Sequence, residues 1–265
     1  MKEPIIITQI DAFTDKLFGG NPAAVCITSE PLEDSLMQQI AAEMNLSETA
    51  FLVKKGHGFH LRWFTPASEV ELCGHATLAS AFMLWDHGLL APDEVAVFET
   101  LSGELRASKE GDKIVLDFPA TPAQLVDHEE IKSLFDAGIR FLGKNAYDYL
   151  VILENDEDVL KLKPDFNHML EIDCRGIIVS AKSTNPDYDI ISRFFAPACG
   201  INEDPVTGSA HCTLAPYWAE QLGKKTLKAY QASTRGGDLE LEYLGERVKL
   251  KGKAVAVMQG ELFIP

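Results

Sequence analysis

The chain has 265 residues, with 24 basic and 40 acidic side chains and a formal charge of -16. That acid excess argues against nucleic acid and against anionic membranes as partners, since both need concentrated Lys and Arg. With 46% hydrophobic and 24% charged residues the chain is globular rather than disordered, and at roughly 150 residues per domain its length predicts two domains.

The first residues, MKEPIIITQIDAF, lead straight into a strand over 5–13 and show no signal-peptide pattern. A second strand is expected over 23–27. Leu32, Leu36, Ile40 and Met44 mark one face of a helix over 32–44. Short strands follow at 51–53 and 60–64, then a helix over 76–85 and strands over 95–99, 103–107 and 114–118. PATP at 119–122 is the best candidate linker, placing domains at 1–119 and 120–265, the last strand a candidate to return to the first domain. The second half begins again with strands at 147–153 and 176–180, a helix within 157–170, a strand at 190–195 and a helix after Gly208. Strands at 239–243 and 255–257 close the chain. No run reaches the ~18 apolar residues of a membrane span. Cys26, Cys73, Cys174, Cys199 and Cys212 are odd in number and form no CxxC, so free, buried thiols in a reducing cytoplasm are expected.

Three words recur in one order. RWFTPA (62–67) answers RFFAPA (193–198), GHATLA (74–79) answers GSAHCTLA (208–215), and SGEL at Gly103 answers GGDL at Gly237. Gly74 to Gly103 and Gly208 to Gly237 are both 29 residues apart, which identifies a duplication. A pseudo-twofold between the copies would set their glycine turns across a cleft, where ligand sites favour inter-domain positions.

Gly74 and Gly208 each open a helix, where free backbone N–H groups and the helix dipole favour a small carboxylate. Taken singly, such glycines merely cap helices; paired, and beside His75, Asp204 and Ser209, they read as a receptor for a carboxylate-bearing metabolite. Asn21, in the Gly19-Gly20-Asn21-Pro22 turn, is placed to line the same site. Glu48, in the connection MNLSETAF, is either an ordinary loop glutamate or a general acid/base whose burial would tune it. Cys73 stands at a helix start that would favour a thiolate. Its repeat partner is Thr207, however, so it reads as structural or as a pocket liner. Arg62 and Arg193 are equivalent and read as sheet anchors.

Glu69, Glu71, Glu203 and Asp204 invite a metal, yet only His75 and His211 lie near, and HExxH, CxxC and EF-hand patterns are missing; no metal is expected. LFGGNPAAV lacks the GxGxxG spacing, and without a GxSxG elbow a hydrolase is a poor reading.

The words GGNPAAV, NLSETAF, RWFTPASEVELCGHATLASA and NEDPVTGSAHCTLAPYW resemble the phenazine-biosynthesis PhzF-like family across essentially the whole chain, closer to its broad, MAWD-binding-protein-like branch. The resemblance implies an α+β, duplicated, pseudo-twofold diaminopimelate-epimerase-like fold, each domain a curved mixed sheet around a central helix. It also implies an isomerase without a cofactor, in which a glutamate moves a proton between two carbons of a small cyclic amino acid. Glu48 matches that glutamate. His75 and Asp204 match residues that hold and help protonate the substrate, and Ser209 matches a carboxylate- or hydroxyl-binding position, with Gly74 and Gly208 as backbone donors. Related epimerases place a cysteine in each glycine motif; Thr207 in place of the second argues against cysteine racemisation. A non-enzymatic binding module that keeps the site is the alternative, and a homodimer is the base-rate expectation.

Overall fold

The first apolar runs of the chain become strands. β1 (Ile5–Ala12) and β2 (Asn21–Thr28) pair antiparallel, with Ile7 opposite Cys26 and Ala12 opposite Asn21. Between them Gly20 is required: at φ 60° a Cβ there would lie 2.1 Å from the Ala12 carbonyl oxygen. Helix α1 (Asp34–Met44) ends on Asn45, whose left-handed φ of 50° turns the chain within three residues into β3 (Glu48–Lys55). β4 (Gly58–Phe64) and the two-residue β5 (Glu69–Val70) lead to helix α2 (Gly74–Asp86), and β6 (Ala96–Thr100), β7 (Gly103–Glu110) and β8 (Lys113–Pro119) follow.

The computed structural model describes residues 4–264. Met1–Glu3, the start of the sequence expected to lead into the first strand, lie outside the described residues. The chain divides into two compact units. One holds the chain to Asp117 together with the segment from Lys251 onward, and the other holds Phe118–Leu250.

The second unit opens with β9 (Gln124–Leu125), α3 (Glu129–Ser133), β10 (Ile139–Lys144) and β11 (Asp148–Leu153). Helices α4 (Asp156–Lys161) and α5 (Phe166–Leu170) precede β12 (Gly176–Lys182) and β13 (Ile190–Phe195). Helix α6 (Gly208–Leu222) and strands β14 (Thr226–Gln231), β15 (Gly237–Tyr243) and β16 (Arg247–Gly252) follow. β17 (Ala254–Leu262) then pairs antiparallel with β1 in the first unit.

The duplication is visible in the pairings of each unit taken alone. In the first, β1–β2 is antiparallel, β2–β3 parallel, β3–β4 antiparallel, β4–β6 parallel and β6–β7 antiparallel. In the second, β10–β11, β11–β12, β12–β13, β13–β14 and β14–β15 repeat that alternation in the same order. Mixed sheets with few helices make the fold α+β. Helices α2 and α6 are buried almost all round, as an apolar helix without a polar face must be. Their buried hydroxyls turn back on the helix: Thr77 Oγ1 donates to the Cys73 carbonyl at 2.5 Å and Ser80 Oγ to Ala76 at 2.7 Å. In α6 the same end-of-helix carbonyl, on Thr207, pairs with His211 Nδ1 at 2.8 Å.

Pro216 sits inside α6 and cannot donate to the Cys212 carbonyl four residues back. The freed oxygen accepts Thr121 N–H at 3.1 Å, and Thr121 and Thr213 share a hydroxyl contact of 2.8 Å. The Pro-rich stretch expected to be a linker is thus tied to the helix.

Several sequence expectations change. Asn21 and Pro22 belong to a strand rather than a turn, because Gly20 completes the reversal before them. Glu48 opens a strand instead of lying in a connection, because the left-handed Asn45 ends the turn early. The helix expected within 157–170 is two, α4 and α5, as Pro164 disfavours helical geometry at the residue before it. The strand expected at 255–257 runs nine residues, and β9, β10, β14 and β16 were not legible as strands. All five cysteines are free, but Cys199 is exposed and Cys174 half-buried.

Buried His211 sets a pH dependence. With no charged partner in contact among the described residues, burial pushes its pKa from 6.5 down to about 4, against a smaller opposing pull from the Thr207 carbonyl. The unfolded chain therefore binds this proton more readily, and stability falls as pH drops from 6.5 towards 4, by about 3 kcal/mol at most. Chemical denaturation across that window is expected to show the loss, and His211→Gln is expected to flatten it. An unchanged slope in that variant would assign the effect elsewhere.

Candidate active site

In the first unit, strand register and one helix end bring four predicted residues together. Phe51 of β3 packs in a cluster with Met37 and Ile40 of α1, so its neighbours in alternation, Glu48, Ala50 and Leu52, lie on the opposite face, which α2 covers. Glu48 pairs with Ala23 of β2, two residues from Asn21. From α2 comes His75, the second residue of the helix, with Cys73 at its N-cap.

His75 Nε2 lies 3.1 Å from Glu48 Oε2, with the two side chains 7% and 14% exposed. The contact is off-line: both atoms are closed to solvent, and neither completes a well-aligned hydrogen bond among the described residues. Misaligned contacts of this kind are common in active sites without substrate. On the other side of the ring, Nδ1 lies 3.2 Å from Asn21 Nδ2 and 3.5 Å from Cys73 Sγ. Ser47 Oγ donates to Asn21 Oδ1 at 3.2 Å. A neutral ring accepts from Asn21 at Nδ1; an imidazolium donates from both nitrogens.

Burial opposes charge on His75, but Cys73 and Glu48 outweigh it and raise its pKa well above the usual histidine value. The charged form is the one that Glu48 favours, so its contribution is present below the ordinary histidine pKa and fades as pH rises through the raised one. Burial, followed by the nearby Glu48 carboxylate, pushes the Cys73 thiol up to about 11. The helix start therefore does not produce a thiolate, since desolvation and a facing anion outweigh the dipole. Cys73→Ser is expected to keep turnover within about tenfold of the parent, well short of the ~10²-fold loss of an acid/base group. A loss on the latter scale, measured at equal folded fraction, would restore a thiol mechanism.

Glu48, Cys73 and His75 offer ligand atoms within 4.8 Å of one another. The ring turns one nitrogen to Cys73 and the other to Glu48, so the three are joined through the imidazole. Two of the acids that invited a metal elsewhere, Glu69 and Glu203, are held by arginines. Arg62 forks onto Glu69 at 2.6 and 2.7 Å, and Arg193 onto Glu203 at 2.7 and 2.9 Å.

In the second unit, Asp204 and Thr207 precede α6, with Gly208 and Ser209 its first residues. Thr207 Oγ1 donates to Asp204 Oδ2, and Gln231 from β14 ties both together: its Nε2 donates to the Asp204 carbonyl at 2.8 Å, and its Oε1 accepts Thr207 N–H at 2.9 Å. Ser209 Oγ accepts from Arg175 Nη2 at 3.2 Å. Gln231, Arg175 and Asp148 were missed by sequence reasoning, as no repeated word contains them. The signal lies in the register. Thr49 pairs with Phe64 and Ile177 with Phe195, so Glu48 corresponds to Gly176 and Ser47 to Arg175. A Cβ at Gly176 would lie 2.4 Å from the Phe194 ring, so the second copy has no room for a counterpart of Glu48.

The sequence matches the PhzC-PhzF family, described as phenazine biosynthesis-like protein, over residues 10–260. It is 48% identical to an uncharacterized isomerase of Halalkalibacterium halodurans, with 100% of both chains covered, and 46% identical to an uncharacterized isomerase of Pseudomonas aeruginosa, covering 98% and 99%. A PhzF-family crystal structure from Enterococcus faecalis superposes with a TM-score of 0.94 at 40% identity, covering 98% of this chain and all of the other. A probable proline racemase from Agrobacterium radiobacter shares the fold alone, with a TM-score of 0.67 at 11% identity over 98% and 93% of the chains.

Proposed function

Because the chain belongs to the phenazine biosynthesis-like protein family, in which whole-length relatives carry isomerase names, we propose that it is an isomerase in which Glu48 moves a proton between two carbons of a small amino or hydroxy carboxylic acid. The observation that supports this reading is the buried, misaligned contact of 3.1 Å between Glu48 Oε2 and His75 Nε2. A carboxylate held this way has capacity left for a substrate C–H bond.

As a carboxylate, Glu48 takes the proton from an acidic carbon; as the acid so formed, it returns the proton to a second carbon on the same face. His75 and Asp204 are assigned to the polar ends of the substrate, with Ser209 and the backbone N–H groups of Gly74 and Gly208 assigned to its carboxylate, and Asn21 and Cys73 to lining. Glu48 is both proton acceptor and proton donor, so the scheme runs without a cofactor. The test is deuterium uptake from D2O into a panel of small cyclic and acyclic amino and hydroxy acids, followed by NMR. Incorporation at two carbons of one compound is expected, and uptake by none of the panel would overturn the reading.

A further inference from the structure

Asp148 opens β11 with a side chain 0% exposed. Both of its oxygens are taken by one guanidinium: Arg175 Nε donates to Oδ1 at 2.8 Å and Nη2 donates to Oδ2. The Tyr147 and Phe194 rings flank the guanidinium, with centroids 5.3 and 5.9 Å from its Cζ. A planar group clamped along one edge and bounded by two rings has a fixed orientation. The Arg175 side chain is nevertheless 38% exposed, and its Nη2 reaches Ser209 Oγ at 3.2 Å.

That contact sets the polarity of the hydroxyl. Guanidinium has donors only, so Ser209 Oγ must accept there, leaving its own O–H to donate. No acceptor among the described residues takes that proton. The first copy shows the contrast: Ser47, in the position of Arg175, donates to Asn21, and His75, in the position of Ser209, faces Glu48. One copy thus presents a proton-transfer pair, while the other presents a cation and an outward-donating hydroxyl.

We infer that Arg175 is a positioning residue that, clamped by Asp148, orients the Ser209 hydroxyl to donate to an anionic group of the substrate, a carboxylate by chemistry. The inference rests on the assignment of Ser209 to substrate binding and adds the residue that makes that hydroxyl selective for charge. A hydroxyl held as donor still serves a neutral amide or alcohol oxygen, but with a cation behind it the anionic acceptor is bound more strongly.

The experiment uses the full chain, with benzoate as probe and benzamide as its uncharged counterpart, and reads affinity by calorimetric titration. Arg175→Gln alone leaves Asp148 buried and unpaired, so the charge is removed in the double variant Asp148→Asn/Arg175→Gln, beside Ser209→Ala and Arg175→Lys. The parent is expected to favour benzoate by about tenfold or more. Ser209→Ala and the double variant should each abolish that preference, and the triple combination should lose nothing further, since Arg175 acts through Ser209. Arg175→Lys keeps the charge but cannot hold Asp148 and Ser209 in one fork, and is expected to lose most of the preference with benzamide affinity unchanged. Equal binding of the two probes by the parent would overturn the inference. So would retained preference in the double variant, additive losses in the triple, or wild-type preference in Arg175→Lys. Because binding is read rather than proton transfer, a Glu48 variant with normal turnover would sink the isomerase mechanism and leave this result standing.

Discussion

Glu48→Gln is expected to lower turnover at least ~10²-fold while the protein stays folded, the lower end of what a positioned general acid/base contributes. Glutamine fills the same volume at the head of β3 but can neither accept nor return a proton. The structural cost is contained because the partner is a histidine. When the facing charge is lost, burial favours the neutral ring, and His75 sheds its proton instead of remaining an unpaired buried cation. Deuterium uptake by the variant, compared with the parent on whichever compound exchanges, is the measurement. Uptake at the parental rate would remove Glu48 from the mechanism. The alkaline end of the pH profile offers an independent reading: loss of the His75 proton should reduce activity in the parent above the raised pKa.

Arg175→Met is expected to destabilise the protein by about 3 kcal/mol, the lower end of the range for breaking a buried pair from one side. Arg175 itself is partly solvated, which holds the figure to that end; Asp148 is not, and loses every acceptor contact its oxygens make. It must then stay charged without a partner or bind a proton at neutral pH, and either route is costly. Asp148→Asn/Arg175→Gln should recover most of the loss, because no buried charge remains to be compensated. Denaturant titration distinguishes the outcomes. A single-variant loss below about 1 kcal/mol would put the pair in the class of exposed bridges such as Lys161–Glu157.

Much of this could be read in linear order. Gly74 and Gly208 stand at the starts of the two buried helices, and the words around them mark the duplication that the strand pairings repeat. Cys73 and His75 were visible as neighbours of a helix start, two residues apart. What stayed hidden was every partner reached across strands: Asn21 against His75 over 54 residues, Arg175 against Asp148 over 27 and against Ser209 over 34. Arg175 sits in DCRGIIV, which contains nothing to distinguish it from a surface arginine.

The sequence by itself determined the two copies, their central helices and the carboxyl, imidazole and thiol from which a site could be built. Local rules suffice for these, since glycine turns, apolar periodicity and helix starts depend on residues a few positions apart. Only the tertiary structure decided which side chains meet in each copy. A side chain's face in a strand follows from register, and a slip of one residue would turn Glu48 away from α2 and towards α1. Register also sets Gly176 against the Phe194 ring, closing in the second copy the position that Glu48 occupies in the first, and brings Arg175 within reach of Ser209.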